Sequence, residues 1–466
     1  MAFMLSSSLA VVLMSLLLLL PASQAMPSDS SEGQDVNFIE HLHAQWGIEW
    51  QPRHVHLAYG NISSEVVVTW STLSEIVNAT IEWGNQIFAL NESCTGTSTL
   101  FTDGGELKAE QWIHRVKLTG LNPNTIFYYH VGGNSGWSAV FGFKTVPAGT
   151  EGWTLRLAFF GDMGVDNAHS LTRLQQEAHQ GMYDLILHVG DLAYNLHTNN
   201  GTVGDTFMDQ IEPIAAYVPY MTCPGNHEDT YDFSNYRNRF SMPNYEETES
   251  MYYSFNLGPV HFIAINTELY YFGPFQMKRL NDQYKWLIDD LKASTTEEAR
   301  EERPWIILFG HRPMYCSTLD EDDCRNVNAR TRVGIHGNMF ALEPLLAEYG
   351  VDMAIWGHEH TYERLWPLYN YTVLNGTDQP YTNPRGPLHI ISGSAGCIET
   401  PDHFIPRQPE WSAFHSRDYG YTRLMVLNKT HLHLEEVSDD QDGKVIDSVM
   451  LVREHHENFT QYITDP

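Results

Sequence analysis

Hydrophobic and polar positions follow two rhythms along this chain. From about Gln51 to Pro147 apolar residues tend to alternate with polar ones in short runs, such as Glu65-Val66-Val67-Val68-Thr69-Trp70, Thr80-Ile81-Glu82-Trp83 and His114-Arg115-Val116-Lys117-Leu118. Gly, Asn and Pro turns separate them, so this stretch predicts half-buried strands throughout. Pro147-Ala148-Gly149-Thr150-Glu151-Gly152 reads as a linker. Beyond it, apolar runs alternate with stretches at helical spacing. Strands are predicted at 155–160, 184–189, 220–223, 305–309, 352–356 and 388–392, with a strand pair at 252–266 and more β structure at 422–449. Helices are predicted at 168–180, 206–217, 276–292 and 340–349. Alternation of this kind predicts an α/β layered domain with a partly parallel sheet. The expected boundaries are 48–147 for the all-β domain and 153–452 for the α/β domain.

Composition is ordinary for a folded globular chain, with 42% hydrophobic and 18% charged residues among 466. Charge changes the picture more. Asp and Glu number 58 against 27 Lys and Arg, a net charge of −31. Such a surface repels phosphate backbones, so no nucleic-acid partner is expected. An anionic substrate would need a local positive centre such as a metal. Protonating all 23 His would take −31 to −8, so an acidic medium relaxes the self-repulsion.

Residues 1–25 read as a secretory signal peptide: Leu9 to Leu20 is almost wholly apolar, Pro21 breaks the run, and Ser23 and Ala25 are small at the cleavage positions. No later stretch is long and apolar enough to span a bilayer, so no transmembrane segment is expected after cleavage. Eight N-x-S/T triplets, at Asn61, Asn78, Asn91, Asn200, Asn370, Asn375, Asn428 and Asn458, predict a glycoprotein. The expected address is secreted, extracellular or lysosomal. Five Cys are too few for a disulfide scaffold. Cys316 and Cys324 bracket a polar loop and are the disulfide candidate; Cys94, Cys223 and Cys397 read as buried or unpaired.

The chemistry lies where metal-capable side chains fall. Asp162 follows the strand ending in Phe160-Gly161; Asp191 and Tyr194 follow Gly190; Asn226 and His227 follow Pro224-Gly225; His311 follows Gly310; His358 and His360 follow Gly357. Five times an apolar strand ends in Gly or Pro-Gly and is followed at once by Asp, Asn or His. In open α/β sheets, sites form beyond the carboxyl ends of strands. The glycines keep the backbone thin where several ends converge.

This set resembles the five blocks of the metallophosphoesterase superfamily, and more narrowly the purple acid phosphatases. The blocks are Gly161-Asp162-Met163-Gly164, Gly190-Asp191-Leu192-Ala193-Tyr194, Gly225-Asn226-His227-Glu228, Phe309-Gly310-His311 and Gly357-His358-Glu359-His360. Gly164 stands where most other members of the superfamily have a His ligand, and Tyr194 can supply the missing donor. His311-Arg312-Pro313-Met314-Tyr315-Cys316 and Asn383-Pro384-Arg385-Gly386 look most like animal long-form members. The preceding domain resembles a fibronectin type III sandwich: Leu121-Asn122-Pro123-Asn124-Thr125-Ile126-Phe127-Tyr128-Tyr129 is similar to its late-strand signature, with Phe127 where many such domains place a corner Tyr.

The resemblance implies a secreted acid phosphatase that hydrolyses phosphate monoesters with a dinuclear Fe(III)–M(II) centre and a metal-bound hydroxide as nucleophile. The donor types fit this. Asp162, Tyr194 and His360 would take the first metal, for which phenolate and carboxylate favour Fe(III). Asn226, His311 and His358 would take the second, Zn first, otherwise Mn or Fe; Asp191 would bridge. His227 adjoins a donor without being one and is the candidate general acid. Related enzymes place another His or acid near the substrate about nine residues after the ligand corresponding to His311; here Asp320 and Glu321 stand there, with His336 as a substitute. The expected partners are small phosphate esters, with a homodimer as the assembly to test. Two rivals remain: a phosphodiesterase or pyrophosphatase of the same superfamily, and a secreted binding protein with a vestigial metal site.

Overall fold

The structure, a computed structural model, describes residues 48–272, 276–319, 324–375 and 378–463. The signal-peptide region and Asp320 and Glu321 lie outside these residues.

The first domain is a sandwich of short antiparallel strands. Strands β1 (Arg53–Tyr59), β2 (Val66–Thr72), β5 (Thr97–Thr102) and β6 (Glu110–Leu118) form one sheet in the order β1-β2-β6-β5. Strands β3 (Thr80–Gly84), β4 (Glu92–Thr95), β7 (Ile126–Gly133), β8 (Gly136–Trp137) and β9 (Phe141–Lys144) form the other around β3 and β7. Period-two burial makes the core: in β7, Phe127, Tyr129 and Val131 point in while Ile126, Tyr128 and His130 are less buried. Leu57, Val68, Trp70, Ile81 and Phe143 are buried with them. Phe127 stacks on Phe143 with ring centroids 5.7 Å apart. The Tyr129 hydroxyl in this core donates to the Ala216 carbonyl at 2.8 Å, and that of Tyr59 to the Asp184 carbonyl at 3.0 Å, which ties the sandwich to the next domain.

The second domain holds two mixed sheets. In one, β10 (Leu155–Phe160), β11 (Leu185–Val189) and β12 (Tyr220–Cys223) run parallel, and β22 (Gly420–Val426), β23 (His431–Ser438) and β24 (Lys444–Val452) extend it antiparallel beyond β10. In the other, β14 (Val260–Ala264), β15 (Trp305–Phe309), β16 (Met353–Trp356) and β20 (Leu388–Ser392) are parallel. Antiparallel β13 (Tyr253–Leu257) flanks one side, and β17 (Tyr362–Leu365) and β21 (Ser412–Ser416) the other; β18 (Leu368–Tyr369) and β19 (Thr372–Val373) pair apart from both sheets. Strands β11, β12, β14, β15, β16 and β20 are buried along their whole length, as their largely apolar runs require; β10 departs only at the half-buried Arg156. The sheets meet at their carboxyl ends, where the Gly161 N–H donates to the Ser392 carbonyl at 2.7 Å.

Helices α1 (Leu171–His179), α2 (Thr202–Ala215), α3 (Thr230–Arg239), α4 (Met277–Ser294) and α5 (Leu342–Glu348) pack around these strands. Helix α2 begins four residues before the predicted Thr206, because Gly201 adopts a left-handed conformation (φ 86°) that turns the chain into the helix early. Helix α3 was not predicted. It opens with Tyr231, Asp232 and Phe233, all left-handed, and lacks an apolar stripe. Helix α2 also faces the sandwich: Arg53 pairs with Asp209 at 3.1 Å, and the Val55 N–H donates to Glu212 at 2.8 Å. Among the described residues no helix is long and apolar enough to cross a membrane.

Candidate metal centre

All seven proposed metal donors come from strand ends of the two sheets and gather in one place. Asp162, Asp191 with Tyr194, and Asn226 follow β10, β11 and β12; His311 follows β15, and His358 and His360 follow β16. The glycines make the convergence possible. A Cβ on Gly190 would lie 2.4 Å from His311 Nδ1, and one on Gly225 2.2 Å from Asp191 Oδ1. Four donors sit on left-handed backbone without being glycine: Asp162 (φ 59°), Asp191 (φ 49°), Tyr194 (φ 46°) and His358 (φ 71°). Clustered strain of this kind marks a functional site.

Asp162, Tyr194 and His360 form one group. The Tyr194 hydroxyl lies 2.7 Å from His360 Nε2 and donates to Asp162 Oδ1 at 3.2 Å; His360 Nε2 is 3.6 Å from the same oxygen. A Cβ on Gly164 would stand 3.3 Å from the Tyr194 ring, so a side chain at 164 and the tyrosine compete for one space.

Asp191, Asn226, His311 and His358 form the second group. Donor atoms of Asp191, His311 and His358 lie within 4.8 Å of one another. The buried His311 ring donates its Nδ1–H to the Val189 carbonyl at 2.9 Å, which turns the Nε2 lone pair inward. That lone pair faces Asp191 Oδ2 at 3.2 Å and Asn226 Oδ1 at 3.1 Å. His311 Nε2, Asp191 Oδ2 and Asn226 Oδ1 thus converge on one point that a proton or a metal cation satisfies; burial lowers His311, but Asp191 and Asp162 outweigh it and push the imidazole up, so the point attracts positive charge. Across the sheets, the His358 N–H donates to Asp162 Oδ2 at 2.9 Å.

Electrostatics agree. Burial, with Asp191 adding to it, pushes the Asp162 carboxyl well up. Burial also raises Asp191, but the His311 imidazole beside it outweighs that and holds it well below the carboxylate range. Burial and then Asp162 drive the Tyr194 phenol well up. The anions repel one another unless a multivalent cation joins them.

His227 is part of this site. Its Nδ1 lies 2.8 Å from Asn195 Oδ1, its backbone N–H donates to Asp191 Oδ1 at 2.9 Å, and its Nε2 is 3.8 Å from Asp191 Oδ2. Its ring packs 4.5 Å from that of Tyr194. His336 lies on an exposed loop beside Arg330 and Leu269, and no described hydrogen bond ties it to the centre. Cys316 and Cys324 form a disulfide, and Cys324 lies 3.0 Å from Glu359 Oε1, between the two His donors in sequence. Cys223 and Cys397 are buried free thiols, and Cys94 is a half-buried one.

Sequence reasoning missed four supporting groups. Glu228 accepts the N–H groups of Asp191, Leu192 and Gly225, each at 2.9 Å, and so locks two donor loops together; burial and then Asp191 push its carboxyl to about 8. Asn195 orients His227. Asp402 accepts the His360 N–H at 2.6 Å. Arg312 reaches His358 Nε2 at 2.9 Å. Asn195 and Arg312 adjoin proposed donors in sequence and Glu228 follows one by two residues, which was the available signal; Asp402 carried none.

Comparison with known proteins bears on this geometry. The calcineurin-like phosphoesterase family matches residues 155–362, the iron/zinc purple acid phosphatase-like protein C family residues 386–448, and the purple acid phosphatase N-terminal domain residues 52–145. The chain is 50% identical over 414 residues to acid phosphatase type 7 of Danio rerio, covering 87% of this chain and 92% of that one. It is 49% identical over 406 residues to acid phosphatase type 7 of Homo sapiens, covering 86% and 91%. A purple acid phosphatase from yellow lupin (Lupinus luteus) seeds has a similar structure, with a TM-score of 0.72 at 28% identity over 87% of this chain and 75% of that one.

Proposed function

Since this chain belongs to the purple acid phosphatases and is an acid phosphatase, we propose that it hydrolyses phosphate monoesters with a dinuclear Fe(III)–M(II) centre. The observation that carries this is the convergence of His311 Nε2, Asp191 Oδ2 and Asn226 Oδ1 on one point, with Asp162, Tyr194 and His360 gathered in a second group. Asp162, Tyr194 and His360 would hold the ferric ion. Asn226, His311 and His358 would hold the divalent ion, Zn first, otherwise Mn or Fe, and Asp191 would bridge. Such a pair, when bound, supplies Lewis acidity toward the phosphoryl group and an acidified water.

The chain's own groups do the rest. Glu228 holds the Asp191 and Asn226 loops in register. Asn195 takes the Nδ1–H of His227 and leaves Nε2 turned toward Asp191. Protonated, His227 keeps that bond and offers its Nε2–H to a phosphate oxygen or to the departing ester oxygen. We further propose a secreted or lysosomal glycoprotein. In support, six of the eight sequon asparagines are exposed; Asn200 and Asn375 are half-buried.

The test is metal analysis of the purified protein together with turnover of p-nitrophenyl phosphate and its bis-ester. One iron and one divalent ion per chain, with faster turnover of the monoester, is expected. Protein that holds no metal would point to a binding role, and preference for the bis-ester to a phosphodiesterase.

A further inference from the structure

A phosphate ester has an organic part as well as a phosphate, and one short turn links the candidate centre to a cavity that suits it. The turn is Thr267–Tyr270. Its first two residues hold the segment that carries the donor His311: Thr267 Oγ1 accepts the Arg312 N–H at 2.9 Å, and Glu268 Oε2 accepts the Arg312 Nε–H at 2.7 Å. Its last two, Leu269 and Tyr270, line a cavity of about 550 Å³ together with Met277, Arg330, Ile335 and His336. The next residue, Tyr271, stands between the two places. The guanidinium carbon of Arg312 lies 4.5 Å from the centre of its ring, and that of Arg330 5.5 Å. The cavity therefore begins one ring away from an arginine that touches the proposed donor His358.

The lining is that of a small-molecule site. Such sites span about 300–1,000 Å³ and are mostly apolar with a few placed polar groups. Here Leu269 and Tyr270 form a nearly buried floor, and Met277 and Ile335 are half-buried walls. The ionisable side chains at the rim are both basic. Acids outnumber Lys and Arg by 58 to 27 in the chain, yet no Asp or Glu lines this cavity, while Arg330 and His336 do. Arg330 is exposed and spends one N–H on the Tyr270 carbonyl at 3.3 Å; among the described residues it pairs with no carboxylate. Two guanidinium groups beside one ring make a local positive field, which an anion relieves.

We propose that this cavity receives the organic part of the ester, and that Arg330 selects monoesters whose organic part is an apolar body bearing a carboxylate. The apolar body fits the floor, and the guanidinium fork matches the two oxygens of a carboxylate. The inference rests on the phosphatase reading above and names a substrate class for it.

The test uses the full chain loaded with iron and zinc and two aryl phosphates that differ at one group. One ends in a carboxylate on a short alkyl arm para to the phosphate; the other ends in the carboxamide, equal in shape but neutral. The readout is the ratio of their kcat/KM values, in which any loss common to both esters cancels. Wild type should favour the carboxylate about 5-fold at low salt, the upper end for a pair with an exposed arginine, and less at high salt. Arg330→Gln should bring the ratio to about 1, and Arg330→Lys should keep part of it. Ile335→Ser, which makes one wall polar, should weaken both aryl esters about 3-fold relative to methyl phosphate, whose organic part is too short to reach the cavity. A wild-type ratio of 1 or below, a ratio that Arg330→Gln leaves unchanged, or equal effects of Ile335→Ser on all three esters would each overturn the proposal. Should Arg330→Gln not fold, Arg330→Lys and the salt dependence of the wild-type ratio decide. Failure of the phosphatase reading shows separately, as wild type that turns over neither aryl ester.

Discussion

His56 sets a cost on working in acid. It lies in β1, 2% exposed, where the sandwich meets the catalytic domain. Its Nδ1–H donates to the His54 carbonyl at 2.7 Å, and its ring meets Phe240 edge-on at 5.6 Å. Nε2 is buried with no hydrogen-bond partner. Burial, with the neighbouring His54 and Arg115 adding to it, lowers the imidazole from 6.5 to about 4. The folded protein therefore leaves His56 unprotonated down to about pH 4, while the unfolded chain takes up a proton below 6.5. Between those values the unfolded state binds more protons, so stability falls as pH drops. The gap corresponds to about 3 kcal/mol in full and about 2 kcal/mol by pH 5. His56→Asn places an amide N–H near the Nδ1 position, keeps the bond to the His54 carbonyl and removes the titration. Unfolding free energies from urea titrations at pH 7.5 and 5.0 check this. The wild type should lose about 2 kcal/mol more than the variant across that interval. Equal losses would refute the assignment of a neutral, buried His56.

Three further outcomes follow from the centre. Tyr194→Phe keeps the ring and removes the donor oxygen; oxidised, iron-loaded wild type should absorb visible light through phenolate-to-iron charge transfer, and the variant should lose that band. His227→Ala should lower kcat about 10²- to 10⁴-fold with both metals retained, and more for an alkyl phosphate than for p-nitrophenyl phosphate, since a poor leaving group needs the proton most. Gly190→Ala puts a methyl 2.4 Å from His311 Nδ1 on a backbone at φ 86°. It should destabilise the protein by at least about 2 kcal/mol and deplete the divalent ion, read by melting and elemental analysis.

The residues that converge at the candidate centre were legible because they follow apolar strands and glycines, a signal local to a few residues. Strands β12, β15 and β20 were legible to the residue, since burial on both faces writes a continuous apolar run. Helix α3 was not, because its left-handed opening and mixed polarity break the period that reveals a helix. The role of Glu228 was hidden although the residue stood in a recognised block, since its carboxylate serves N–H groups from two separate loops. The domain interface was hidden for a similar reason. Arg115 reads as the polar face of a strand, yet it is largely buried and bonds Ser241 Oγ at 2.8 Å and the Asn238 carbonyl at 2.6 Å.

The left-handed backbone at Asp162, Asp191, Tyr194 and His358 also bears on how this scaffold can change over evolutionary time. Besides glycine, the residue that tolerates such a conformation most readily is asparagine. Asp→Asn at 162 or 191 would keep the loop and delete an anionic donor, so the gentlest mutational exit from catalysis passes through asparagine and leaves a folded, inert protein. A descendant retired to a binding role would be expected to carry Asn or Gly at these four positions while Gly190, Gly225 and Gly357, which the packing of the strand ends demands, stay in place.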